Sequence, residues 1–206
     1  MILLSLTFID YKIILPEAFF RSADKKTVGL KGKKDLKDKM KISWFLTPEL
    51  IKLEMGSRLE LDPETELSPP RKILLLKEAI IHELVELLDK SGKVRNKNKL
   101  FLDLFNREKK ASTGIGNGIA IPHVRTLQVK ELVMGFARSP KGYDFDCMDG
   151  QPAHLFFVMA APPYADTLYL KIFKSLAEIL QFESVREKLL QATTEHEIIR
   201  AIRKME

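Results

Sequence analysis

Two apolar runs rich in Val and Phe, Glu131 to Arg138 and His154 to Ala161, constrain the fold of this chain more than any other feature. Both have strand length, and Lys141-Gly142 and Asp149-Gly150 supply turn chemistry between them. Amphipathic helices are expected around them. Lys72 to Lys90 sets Ile73, Leu76, Ile80, Leu84, Leu87 and Leu88 on one face, with Gly92 placed to end it. Lys97 to Lys109 turns Leu100, Phe101, Leu104 and Phe105 inward. Three helices are expected to finish the chain. They are Asp166 to Gln181 with Asp166 as N-cap, Glu183 to Gln191, and Thr194 to Lys204, where Thr194 and Glu197 have capping-box spacing. This order implies an α/β fold: a three-layer α/β sandwich with a mixed β-sheet flanked by helices.

The domain is expected to span residues 47–206. It opens with a short turn and strand over Thr47 to Leu53, followed by a polar connection from Gly56 to Pro70. Residues 1–46 form a basic N-terminal extension whose order the sequence leaves open. Met1 to Phe20 reads as a strand pair or a short packed element, and Ser22 to Lys41 as a mobile leader; a start assigned too far upstream is the other account of this segment. Charge supports the division. Of 34 basic and 28 acidic side chains, nine and three lie between Arg21 and Lys41, so 25 of each remain elsewhere and the domain itself is neutral. A solvated charge run is the ordinary reading of such a leader. No aromatic residue lies between Ser22 and Ser43 to stack on a base, which argues against a nucleic-acid partner.

Cys147 is the single cysteine, so no intrachain disulfide is possible; it reads as a small buried apolar residue. The apolar start from Met1 to Phe8 lacks a basic lead and is interrupted by Asp10 and Lys12. It is a poor signal peptide and too short to span a bilayer, so membrane insertion is not expected and the cytoplasm is.

One loop carries chemistry. Ser112 to Gly118 is small and polar, Ile119 to Ile121 is apolar, and Pro122-His123 follows. Proline fixes its own φ and restricts Ile121 to extended geometry, so a short strand delivers His123 at its end. A neutral, accessible imidazole is a competent nucleophile near pH 7. Alone, such a histidine is usually a polar residue at a sheet edge. The glycines do not make a nucleotide loop, because no Gly-Lys-Ser/Thr ends the run and it leads into a strand.

The segment Ser112-Thr113-Gly114-Ile115-Gly116-Asn117-Gly118-Ile119-Ala120-Ile121-Pro122-His123 resembles the active-site signature of the type-2 IIA domain of the bacterial phosphoenolpyruvate-dependent sugar phosphotransferase system, its fructose/mannitol and nitrogen-regulatory branch. Asn106-Arg107-Glu108-Lys109 resembles the family's arginine-bearing lead-in. Gly135 to Ser139 and Tyr143 to Phe157 resemble its central strand-turn-strand segment. The similarity runs from about residue 47 to the end.

The resemblance implies that His123 is transiently phosphorylated by the phosphohistidine carrier protein of the system, with no cofactor and no metal. It makes Arg107 the phosphate-stabilising arginine and places Ser112, Thr113, Gly114 and Gly116 around the phosphate. The hydroxyls have loop-holding as an equal alternative. Two departures stand out: Val124 replaces a glycine that commonly follows the histidine, which predicts crowding there, and Tyr169 occupies the position of a second histidine. Tyr169 either hydrogen-bonds at the site or packs with Phe173 and Leu176. His82, between Glu78 and Glu86, reads as solvated, and His154 belongs to a strand. The implied role is a phosphocarrier, with wording nearer the nitrogen-regulatory branch, in which a regulated protein is the partner. The alternatives are sugar uptake, in which a IIB domain accepts the phosphate, and a binding module that is never phosphorylated.

Overall fold

The computed structural model describes residues 41–59 and 66–206, so the expectations for residues 1–40 lie outside the described residues. The two apolar runs become β5 (Val133–Tyr143) and β6 (Ala153–Ala161), an antiparallel pair at the middle of a six-stranded mixed sheet. The short β1 (Ile51–Lys52) runs parallel to β5 on one side. On the other side of β6 lie β3 (Ile119–Ala120) and β4 (His123–Arg125), both parallel to it, and β2 (Gly114–Gly116) is antiparallel to β3.

Alternation along β6 divides the core between two faces. Leu155, Phe157, Met159 and Ala161 join the cluster made with α3 (Asp166–Leu180), α4 (Glu183–Gln191) and α5 (Glu195–Arg203). Phe156, Val158 and Ala160 face the cluster made with α1 (Pro69–Asp89) and α2 (Lys97–Lys110). This is the expected three-layer α/β sandwich, with helices on both sheet faces. Ile42 and Leu46, which precede the expected boundary at Thr47, belong to the first cluster, and Ser43 N–H and Oγ donate to the Glu206 carboxylate at 2.8 and 2.6 Å.

Local chemistry explains the element ends. α1 begins three residues earlier than expected because Pro69 and Pro70 fall in its first turn, where no N–H is needed. Asn96 caps α2 by accepting from Lys99 N–H at 2.9 Å. Thr194 caps α5 through Glu197 N–H, but Glu197 reaches back to Thr193 instead of Thr194. Two expectations need correction. Lys141-Gly142 is not the turn between β5 and β6: it lies inside β5 at a register shift, where Gly142 has φ +74°. The turn falls at Asp149-Gly150, where Gly150 N–H donates to Cys147 O at 2.9 Å. Asp166 is the first residue of α3 and not its cap, since Ala165 holds that position and the Asp166 carboxylate binds Arg125 instead.

Candidate functional site

Residues 119–125 run along β6 as one strand in two pieces. Ile119 pairs with Leu155 and His123 with Met159, the same offset on both sides of Pro122. Proline removes one donor without shifting the register, and Met159 N–H still donates to the Pro122 carbonyl at 2.9 Å. His123 therefore does not end a strand, as the sequence suggested; it opens β4, half-buried.

Its ring is held on several sides. Nδ1 lies 2.6 Å from the Ile121 carbonyl. A carbonyl only accepts, so Nδ1 carries the proton and Nε2 keeps its lone pair. Arg107 Nη2 lies 3.3 Å from that Nε2, while Nη1 donates to the Ala111 carbonyl at 3.0 Å. Arg107 stands in the last turn of α2, so the Ala111 carbonyl just past the helix end anchors one arm of its fork and leaves the other toward the imidazole. Phe173 meets the ring edge-on at 5.0 Å between centroids, and Tyr169 lies tilted at 6.2 Å. Burial first, then the Arg107 guanidinium, pulls the His123 pKa down to about 4; Arg125 adds to this and the Ile121 hydrogen bond opposes it. The imidazole is neutral at physiological pH.

The structure thus brings His123, Arg107 and Tyr169 together. Tyr169 is buried in the α3 cluster with Phe173 and Leu176, as the packing expectation has it, and its ring also adjoins that of His123. The signature hydroxyls go elsewhere. Thr113 is buried, and both its N–H and its Oγ1 donate to Glu108, the hydroxyl at 2.6 Å. Ser112 Oγ accepts from Lys77 Nζ at 3.0 Å and from Gly114 N–H at 3.2 Å, and donates to the Phe145 carbonyl at 2.9 Å. The two glycines serve the loop: a Cβ on Gly114 would lie 2.6 Å from Cys147 Sγ, and Gly116 has φ +90° beside Asp149. These donors hold β2 and its turn, the loop-holding role that the sequence left open beside phosphate contact.

Val124 does not crowd the imidazole. It alternates away from His123 and packs against the α1/α2 cluster. Cys147 is buried, and burial pushes its thiol up to about 11, an unreactive state. His154 Nδ1 lies 3.1 Å from the Ser139 carbonyl, and His82 is exposed beside Phe101. Sequence reasoning missed Lys77 and Arg125. Lys77 interrupts the apolar face of α1, three and four residues before Ile80 and Ile81, and that lone charge was the available signal. Arg125 lies two residues beyond His123 on the same strand, hence on the same face.

The chain is thus an α/β domain, a mixed sheet between two helical layers, with His123 held in a strand interrupted at Pro122. The IIA-Ntr nitrogen regulatory protein from Neisseria meningitidis shares this fold, with a TM-score of 0.64 and 29% identity over 78% of this chain and 98% of that one. The fructose-specific EIIA component of Haloferax volcanii is 39% identical over 59% of this chain and 79% of its own length. The fructose-specific EIIABC component of Bacillus subtilis is 39% identical over 78% of this chain, which spans 22% of that larger protein. Residues 71–205 match the family described as phosphoenolpyruvate-dependent sugar phosphotransferase system, EIIA 2, and the chain belongs to that family. No helix among the described residues is long and apolar enough to cross a membrane.

Proposed function

We propose that the domain is a phosphocarrier in which His123 Nε2 takes a phosphoryl group from the phosphohistidine of the system's small carrier protein. The observation that supports this is the imidazole itself, with Nδ1–H fixed on the Ile121 carbonyl and Nε2 beside the Arg107 guanidinium. The Nε2 lone pair forms the new N–P bond as the carrier's N–P bond breaks, and the carrier's ring nitrogen keeps that electron pair. Nδ1 retains its proton, so the His123 ring becomes cationic and its hydrogen bond to Ile121 becomes charge-assisted. Arg107 balances the charge spread over the phosphoryl oxygens. The low pKa keeps protons from competing for Nε2. In this reading Ser112, Thr113, Gly114 and Gly116 shape the loop, and Tyr169 and Phe173 wall the ring.

Two outlets exist among the relatives, nitrogen regulation and fructose uptake. The 39% identity to fructose-specific components favours a second reading beside the regulatory one, in which a IIB domain receives the phosphate. The test combines phosphoenolpyruvate, enzyme I and the histidine carrier with this protein and maps acid-labile phosphate. Label is expected on His123 and absent from a folded His123→Ala protein; label that persists in that variant overturns the proposal. Discharge by an added fructose-type IIB domain selects uptake, and retention selects regulation.

A further inference from the structure

Besides the His123–Phe173 ring contact, two rungs connect β4 to α3. One is the His123–Tyr169 ring contact, and the other is an ion pair in which Arg125 Nη1 donates to Asp166 Oδ1 at 2.6 Å. The spacing explains the pairing: His123 and Arg125 are two apart on a strand, and Asp166 and Tyr169 are three apart at the start of a helix, so each pair shares a face. The two rungs differ in character. Tyr169 is buried, whereas the Arg125 and Asp166 side chains are 37% and 47% exposed. An exposed ion pair gains little over hydration and exchanges readily for a stronger anion.

We propose that Arg125 is a second phosphoryl-holding arginine, kept on Asp166 while His123 is bare and drawn to the phosphoryl group when His123 carries one. This rests on the phosphocarrier reading above. Arg107 cannot supply the same movement, since its Nη1 is anchored on the Ala111 carbonyl at a helix end. Arg125 stands two residues from His123 on the same strand face with its side chain partly exposed, and a phosphoryl group offers its guanidinium more charge and more acceptor oxygens than one carboxylate does. The field of Arg125 is already felt at the bare imidazole, whose proton affinity it lowers. The carboxylate acts as a holder that competes with the phosphate, so removing either partner has a different consequence.

That difference is the test. Transfer rate from the phosphorylated histidine carrier and half-life of isolated phosphoprotein are measured for the full chain and for Arg125→Gln, Arg125→Lys and Asp166→Asn. Arg125→Gln is expected to slow transfer roughly tenfold and shorten the half-life, with partial recovery in Arg125→Lys. Asp166→Asn is expected to act in the opposite direction, with transfer or half-life raised roughly two- to threefold. Effects of equal sign in Arg125→Gln and Asp166→Asn, or none in Arg125→Gln while His123 is labelled, overturn this assignment alone and make the pair a brace between β4 and α3. Absence of label on His123 in the unaltered chain overturns both this assignment and the phosphocarrier reading.

Discussion

Lys77 Nζ lies 2.8 Å from Glu108 Oε1, with both side chains almost wholly buried, and this pair fastens two helices of one layer to the signature loop. Glu108 also takes the N–H and hydroxyl of Thr113, and Lys77 reaches Ser112 Oγ, so every charge is met by several partners. Lys77→Met leaves a buried carboxylate without its cation. It is expected to cost about 3 kcal/mol or more, read from urea unfolding. Because Glu108 directly follows Arg107, the same variant is expected to slow labelling of His123 even under conditions where it stays folded.

This network shows what the sequence could and could not disclose. Helical faces and the β5/β6 pair are local patterns, and Ile80, Leu84, Leu100, Leu104 and Phe156 are buried as their spacing predicts. The Arg107–His123 contact needs the end of α2 to meet an edge strand 16 residues later, and no periodicity encodes that meeting. For Ser112 and Thr113, beside a glycine loop, the sequence leaves phosphate contact and loop-holding equally open. Once Lys77 and Glu108 are buried together, however, Glu108 requires donors, and Thr113, five residues on, is the nearest source. Lys141-Gly142 has turn composition, yet glycine's positive φ serves a bulge equally well.

Gly114 gives a sharp packing test. In Gly114→Ala the new methyl would meet Cys147 both at its thiol sulfur (2.6 Å) and at its main chain (2.9 Å). The expected loss is about 1–3 kcal/mol in thermal or urea unfolding. Adding Cys147→Ala is expected to recover little, since the main chain of residue 147 still stands in the way. Full recovery would locate the clash in the thiol alone.

The domain start can be tested by truncation. A chain beginning at residue 40 keeps Ile42, Leu46 and the Ser43–Glu206 hydrogen bonds, whereas one beginning at Thr47 loses all three. Burial of Ile42 and Leu46 contributes about 1.5–3 kcal/mol each. The shorter chain is therefore expected to unfold at clearly lower urea concentration, and the longer one to match the full chain in stability and labelling. Equal stability of the two truncated chains would return the boundary to Thr47.

The depressed pKa of His123 makes a prediction with a definite sign. Its ordinary value is 6.5 and its folded value about 4, so between these limits the unfolded chain binds the proton more readily than the native one. The contribution of this group to stability is complete above pH 6.5 and declines as pH falls toward 4. Transfer follows the neutral ring, so its rate is expected to stay level from pH 8 to about 5 and fall below that. Titration of the imidazole by NMR checks the first statement and a pH–rate profile the second. An inflection near 6.5 would show that Arg107 and burial do not act on the ring as described.

Tyr169, which the resemblance places where the family has a second histidine, offers the most direct test of how the site works. Its ring is buried among Phe173 and Leu176 and lies 6.2 Å from the His123 ring, so packing and site geometry are joined in one side chain. Tyr169→Phe keeps the ring and removes the hydroxyl, which separates the two. Stability is expected to change by less than about 1.5 kcal/mol, because the apolar packing persists. If the hydroxyl donates to the phosphoryl group, transfer to His123 slows roughly three- to tenfold, the worth of one neutral hydrogen bond. A neutral donor carries no titratable charge near pH 7, so the slowing is expected to be uniform between pH 6 and 8. An unchanged rate would make Tyr169 a wall for the imidazole and leave the phosphoryl charge to Arg107 and, if the Asp166 exchange holds, to Arg125.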